Sequence, residues 1–207
     1  MTAPFEAYAA LICDLDGVVY RGQAAVPHAV EALSTQRRPV LYATNNAART
    51  PDVVAAHLRE LGLAVEASDV VNSSQAAAWL LARHQPPGAA VLAVGGPGVG
   101  VALREAGFQV VERIGTERVD AVVQGYGPTV TASDLAEAAY GVQGGALWVA
   151  TNLDSTLPTD RGVAPGGGSL VDAVVNAVGR RPDLVAGEPA EAGSAMCPGP
   201  PPLPPPP

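Results

Sequence analysis

The chain has 207 residues, 48% of them hydrophobic and 15% charged, which is enough for one domain with a real core or for two small ones. A net charge of −8, with no basic run longer than Arg37-Arg38 or Arg180-Arg181, argues against nucleic acid or an anionic membrane surface as a partner, because no cation cluster exists to displace counterions. The apolar stretch near the N-terminus is short, contains Glu6 and has no basic leader, so neither a signal peptide nor a membrane span is expected; Cys13 and Cys197 lie in unlike contexts, which predicts no disulfide and a cytoplasmic location.

Residues 9–12 form an apolar run that closes on Cys13-Asp14-Leu15-Asp16-Gly17. Such a run reads as a buried parallel strand, and ligands of open α/β sheets collect beyond the carboxyl ends of these strands. Asp14 then projects into a site, and Gly17 lets the chain turn back so that Asp16 shares it. Residues 27–36 follow, with Val30 and Leu33 on one helix face, and lead into a second apolar run over 39–43 that ends in Thr44-Asn45-Asn46. A right-handed crossover makes the two strands parallel neighbours, with a hydroxyl, two amides and two carboxylates at one edge. The hydroxyl and the two amides, with free backbone N–H groups, are what a phosphate needs from neutral chemistry. Thr50 and Pro51 predict the cap and first residue of a helix with Val54, Leu58 and Leu61 buried and Gly62 as its stop. After a short extended link at Val70-Val71, Ser73 or Ser74 is expected to cap a helix running through Trp79, Leu80 and Leu81 to a break at Pro86-Pro87-Gly88.

A second α/β series begins there. Strands are expected at 90–94, 108–111, 121–124 and 146–150, and helices at 101–106 and 133–142. Gly95-Gly96-Pro97-Gly98-Val99-Gly100 follows a strand and opens a helix, yet its glycine spacing does not match a dinucleotide-binding turn, since position 101 is valine. Asn152 and Asp154, just past the strand ending at Ala150, stand at a strand terminus and either face a ligand or form an Asx turn. Gly166-Gly167-Gly168-Ser169 resembles a phosphate cradle without the lysine of a nucleotide-binding loop, and reads as a flexible loop near the substrate; Ser169 with Asp172 is taken as the capped start of a helix over 170–178. His28, His57 and His84 have no ligand spacing and read as surface or packed residues, and Trp79 and Trp148 as core. Residues 184–186 are expected to return to the first sheet. Beyond Glu188 the chain is proline-rich and suits only polyproline II or disorder.

The segments Asp14-Leu15-Asp16-Gly17-Val18-Val19-Tyr20, Ala43-Thr44-Asn45-Asn46-Ala47 and 147–157 with 166–169 resemble the capped subclass IIA phosphatases of the haloacid dehalogenase superfamily, the NagD-like and p-nitrophenyl-phosphatase-like group. Within it, residues 120–125, 134–139 and 156–162 look most like bacterial glycerol-3-phosphate phosphatases. The resemblance covers residues 9 to about 187. It implies an α/β fold in which a Rossmann-like parallel-sheet core, incomplete at its C-terminal end, carries an inserted α/β cap: core over 1–84, cap over 87–181, a returning core stub over 182–187 and a Pro-rich tail over 188–207. It further implies Mg²⁺-dependent hydrolysis of a small phosphorylated metabolite through an aspartyl-phosphate. Asp14 would be the nucleophile and Asp16 the acid and base. Thr44 and Asn45 would hold the phosphate, Asp14 and the Asp16 carbonyl the metal, and Asn152, Asp154, Gly166 and Ser169 the substrate from the cap.

Two landmarks of that family differ here. Its Gly-Lys-Pro motif corresponds to Gly187-Glu188-Pro189, which puts a negative charge where a positive one belongs, and its later acidic Gly-Asp loop has no counterpart after Asp183. Impaired turnover is the expectation, with truncation or a frame change in the gene as the favoured explanation. The alternatives are a phosphate-ester-binding relative without catalysis and a polyproline tail that docks a partner, the latter disfavoured. Self-association is left open.

Overall fold

The computed structural model describes residues 8–115, 118–159 and 161–187. It is a mixed α/β fold built on two parallel sheets. The first sheet begins with β1 (Leu11–Asp14), followed by a two-stranded antiparallel pair, β2 (Tyr20–Arg21) and β3 (Ala24–Ala25), and by α1 (Ala29–Ser34). Next come β4 (Val40–Thr44), α2 (Pro51–Glu60) and β5 (Val70–Asn72). The sheet runs β1-β4-β5, all parallel, with Asp14 opposite Ala43, so the ends carrying Asp14 and Thr44 lie side by side as the crossover argument requires. Its core is a cluster of Leu15, Val19, Tyr20, Val54, Leu58, Val65 and Val70. α2 has Pro51 as its first residue and buries Val54 and Leu58, as the 3.6-residue period predicts, although the Thr50 side chain makes no capping bond.

One expectation about β1 is corrected. It was read as a strand buried on both faces, but it lies at the edge of its sheet, and Ile12 is 57% exposed. An apolar run cannot tell a central strand from an edge strand, because lateral neighbours are a tertiary property.

α3 (Ser73–Leu81) starts from Asn72, whose side chain accepts from the Gln75 amide while Gln75 bonds back to the Asn72 amide. This reciprocal cap replaces the expected Ser73 or Ser74 cap and leaves both hydroxyls for other work. The second sheet then follows: β6 (Ala90–Val94), α4 (Pro97–Glu105), β7 (Gln109–Val111), β8 (Ala121–Gln124), α5 (Ala132–Gln143), β9 (Leu147–Ala150), an antiparallel hairpin of β10 (Thr156–Thr159) and β11 (Gly162–Pro165), α6 (Gly167–Val178) and β12 (Leu184–Val185). The five parallel strands lie in the order β12-β9-β8-β6-β7. Residues 184–185, expected to rejoin the first sheet, therefore pair with β9 in the second. One face of this sheet packs on α3 and α4 through Ala77, Leu81, Val99 and Leu103, the other on α5 and α6 through Ala138, Val142, Val171 and Val174. Trp148 is fully buried there, as its setting predicts.

The glycine-rich stretch after β6 has a packing role. A Cβ on Gly96 would stand 2.6 Å from Ala48 Cα, and one on Gly98 would stand 2.5 Å from the Ala47 carbonyl and 2.7 Å from that of Arg49. Gly98 N–H donates to the Ala48 carbonyl at 3.1 Å. These glycines let α4 touch the loop that follows β4. Among the described residues no helix is long and apolar enough to cross a membrane.

Replacing Gly98 with valine therefore drives side-chain carbon into main-chain atoms and should destabilise the fold by about 1–3 kcal/mol or more. Gly100→Ala, whose Cβ would meet only the movable end of Arg104 at 3.2 Å, should leave stability unchanged or raise it. Urea unfolding of the two variants separates these outcomes, and equal stability of Gly98→Val and the parent would refute the close approach.

Candidate active site

The chain reverses immediately after β1. Gly17, at φ 88°, permits the turn, and the Leu15 carbonyl accepts from the amides of Val18, Val19 and Tyr20 while Leu15 and Val19 are buried. The turn keeps both carboxylates on the sheet's C-terminal edge. Asp14 Oδ1 accepts from the Leu15 amide at 2.8 Å, and Asp16 Oδ2 accepts from the Thr44 hydroxyl at 2.9 Å. Thr44 Oγ1 in turn accepts from the Asn46 amide at 3.0 Å, so this buried hydroxyl ties the two strand ends together.

The loop from Asn45 to Arg49 is held through its carbonyls. Ser73 Oγ and Asn152 Nδ2 both donate to the Asn45 carbonyl at 2.7 Å, Ser74 Oγ to that of Ala47 at 2.8 Å, and Asn72 Nδ2 to that of Arg49 at 2.8 Å. The side chain of Asn45 donates to Asp154 Oδ2 at 3.0 Å. Gly187, at φ 81°, lies against the Asn45 side chain; Glu188 and Pro189 of the tripeptide singled out earlier, and the proline-rich tail, fall outside the described residues.

A cavity of about 190 Å³ opens between the two sheets. Asp14, Asp16, Asn45 and Asn46 line it from the first sheet; Tyr126, Asn152, Asp154, Thr156, Leu157, Pro158, Gly166 and Gly167 line it from the second. Of the eight residues expected at the site, Asp14, Asp16, Asn45, Asn152, Asp154 and Gly166 meet here. Thr44 lies beneath the lining, bonded to Asp16. Ser169 is elsewhere: α6 starts from Gly166, not from a Ser169 cap, and the Ser169 hydroxyl donates to the Ser155 carbonyl at 2.6 Å. Tyr126 was not anticipated, although its place two residues past the end of β8 is the kind of strand-end position that marks such sites. Leu157 and Pro158 were legible only as part of a resemblance.

Three carboxylates and no cationic side chain line the cavity among the described residues. Just behind it Tyr20 is 2% exposed, its hydroxyl has no hydrogen-bond partner among the described residues, and its ring stands edge-on to His57 at 4.9 Å between centroids. Burial, then the charge of Asp16, pushes the Tyr20 phenol well above its usual range.

A family model described as haloacid dehalogenase-like hydrolase matches residues 11–109. An acid sugar phosphatase of Staphylococcus aureus is 37% identical over 181 residues, 86% of this chain and 68% of the relative. The chain belongs to the haloacid dehalogenase-like hydrolases. A D-glycerol 3-phosphate phosphatase of Mycobacterium tuberculosis is 50% identical over 182 residues, 88% of this chain and 51% of the relative. The solved structure of glycerol phosphate phosphatase from that organism, in complex with magnesium, has a TM-score of 0.86 at 49% identity and covers 90% of this chain and 56% of that one. The present chain thus spans about half the length of its mycobacterial relative.

Thr44→Val keeps the shape of the buried side chain but removes the hydroxyl that bridges Asp16 and the Asn46 amide. A stability loss of about 1–3 kcal/mol in urea unfolding is expected, because the Asn46 amide loses its acceptor. A change within error would mean that the bridge does not join the strand ends.

Proposed function

We propose that this chain binds a small phosphomonoester, with glycerol 3-phosphate or a related polyol phosphate as the first candidate, and carries residues for its hydrolysis at Asp14. The observation that supports this most is the pair Asp14 and Asp16 lining one cavity with Asn45 and Asn46 at the ends of two parallel strands. An Asp14 carboxylate oxygen attacks phosphorus and the ester oxygen departs with a proton from Asp16, leaving an aspartyl-phosphate; water, deprotonated by Asp16, then releases phosphate and restores Asp14. The Asn45 main-chain amide orients the oxygens that are not transferred. Thr44 acts through Asp16, whose carboxylate it holds. Asn152, Asp154, Tyr126 and the stretch 156–158 face the ester's organic part, and a volume of about 190 Å³ suits a metabolite of a few carbons rather than a nucleotide.

The donors available to a metal are hard oxygens, the Asp14 carboxylate and the Asp16 main-chain carbonyl. Among the described residues no group of three or more acidic, His or Cys side chains stands ready for an ion. Mg²⁺ fits such a sparse set, since it keeps several waters and uses one or two carboxylates together with substrate phosphate. When bound, it would offset the repulsion between the Asp14 carboxylate and the phosphate. The mycobacterial relative's structure, as noted, contains magnesium.

Turnover is expected to be low. All twelve basic residues of the chain are arginine, and none of them lines the cavity among the described residues, so no side-chain cation meets the charge that develops on the transferred group. Loss of one well-placed donor typically costs on the order of 100- to 1000-fold in rate. The absence of a lining cation also favours a second reading, a phosphate-ester-binding relative that does not turn over.

Phosphate release from glycerol 3-phosphate and from p-nitrophenyl phosphate with Mg²⁺ should be slow in the parent and absent in Asp14→Asn. Turnover that survives this substitution would remove Asp14 as nucleophile. Saturable binding of glycerol 3-phosphate with no release at all would favour the second reading. Glu188→Lys, which restores the family's motif in sequence, should raise the rate at least about tenfold, a gain of about 1.4 kcal/mol in transition-state binding; an unchanged rate would show that the missing charge is not what limits this chain.

A further inference from the structure

The second sheet has a crevice of its own, which shares no lining residue with the cavity at Asp14. In chain order its strands are β6, β7, β8, β9 and β12, and in space they run second, first, third, fourth, fifth. The helix after β6, α4, covers one face, and the helix after β8, α5, covers the other. Where successive connections leave a parallel sheet on opposite faces, the chains diverge and open a crevice at the carboxyl ends of the strands, the usual ligand position of such sheets. A cavity of about 460 Å³ lies there, larger than the one at Asp14. Val94, Pro97, Val101, Val110 and Val130 give it an apolar floor.

Its polar groups are of both signs. The Arg104 and Glu112 side chains border it, are exposed, and have no hydrogen-bond or ion-pair partner among the described residues. Asp134 borders it as well, with Oδ2 accepting from the Thr131 amide and hydroxyl, both at 2.8 Å. A phosphate ligand is disfavoured on two grounds. The amides of Gly96 and Gly98 at the start of α4 are already given to the carbonyls of Tyr126 and Ala48, at 3.0 and 3.1 Å, and two carboxylates share the crevice with one guanidinium. A molecule that presents one charge of each sign on a small apolar body satisfies the lining best.

We propose that the crevice between α4 and α5 is a second small-molecule site that takes an apolar α-amino acid, with its carboxylate on Arg104, its ammonium on Glu112 and its side chain on the valine floor. Nothing in this site depends on Asp14 or on hydrolysis.

The test is titration of the ¹⁵N-labelled full chain with L-leucine, alongside 4-methylpentanoate, which lacks the ammonium, and 3-methylbutylamine, which lacks the carboxylate. Leucine should shift the amides of Gly95, Val101 and Val130 saturably and leave those of Asn45 and Asn46 in place, and each analogue should bind at least about tenfold more weakly, the loss expected for one charge-assisted contact. Arg104→Met should weaken leucine by a similar factor. Gly100→Leu should abolish binding by filling the crevice. Leucine shifts that do not saturate, an analogue that binds as tightly as leucine, or binding that is unchanged in Arg104→Met each overturn the proposal. Should Gly100→Leu fail to fold, the analogue series and Arg104→Met still decide.

Discussion

The peptide groups of residues 45–49 are the junction on which the rest of this structure turns. Their carbonyls are taken by three side chains at the start of α3 and by Asn152, and their backbone is in van der Waals contact with Gly96 and Gly98 at the start of α4. A loop that is to present amides to an anion must have its carbonyls turned away and satisfied elsewhere, or the same peptide units repel what they are meant to bind. The second sheet supplies that satisfaction through Asn152, and α3, which packs on the second sheet, supplies most of the remainder. Orientation of this loop is therefore a property of both sheets together.

The electrostatics of the cavity follow a different logic from its geometry. Asp14, Asp16 and Asp154 bring negative charge to a small volume in a chain that is already acidic overall. A cation must enter such a site before an anionic ester can. Among the described residues the donors are too few for a fully protein-built metal cage, so under the proposed function cation and ester bind with mutual support. Asp154 has a further role, since its bond to Asn45 makes one carboxylate both a wall of the cavity and a strut between the sheets.

Capping chemistry shows how small sequence signals acquire function. Asn72 and Gln75 close the N-terminus of α3 by themselves, which releases Ser73 and Ser74 to hold the carbonyls of Asn45 and Ala47. At the same cavity, Gly166 rather than Ser169 begins α6. Glycine is required there because Asp154 and Thr156 main-chain atoms occupy the space a Cβ would need. The α3 cap is local to its own first turn, whereas the start of α6 is decided by main-chain atoms of another segment.

Much of this protein was legible without coordinates. Hydrophobic period, proline and glycine placed most strands and helices, and two strand ends bearing Asp14, Asp16, Thr44 and Asn45 announced a site because local sequence dictates where a strand stops and which groups stand at its tip. What the chain could not declare on its own were its lateral relations. That β1 is an edge strand, that residues 184–185 pair with β9, that the glycines after β6 receive a loop, and that Thr44 bonds to Asp16 all depend on contacts between segments tens of residues apart. Such contacts are settled by packing and by the need to pair buried polar groups, which act only once the chain has closed on itself.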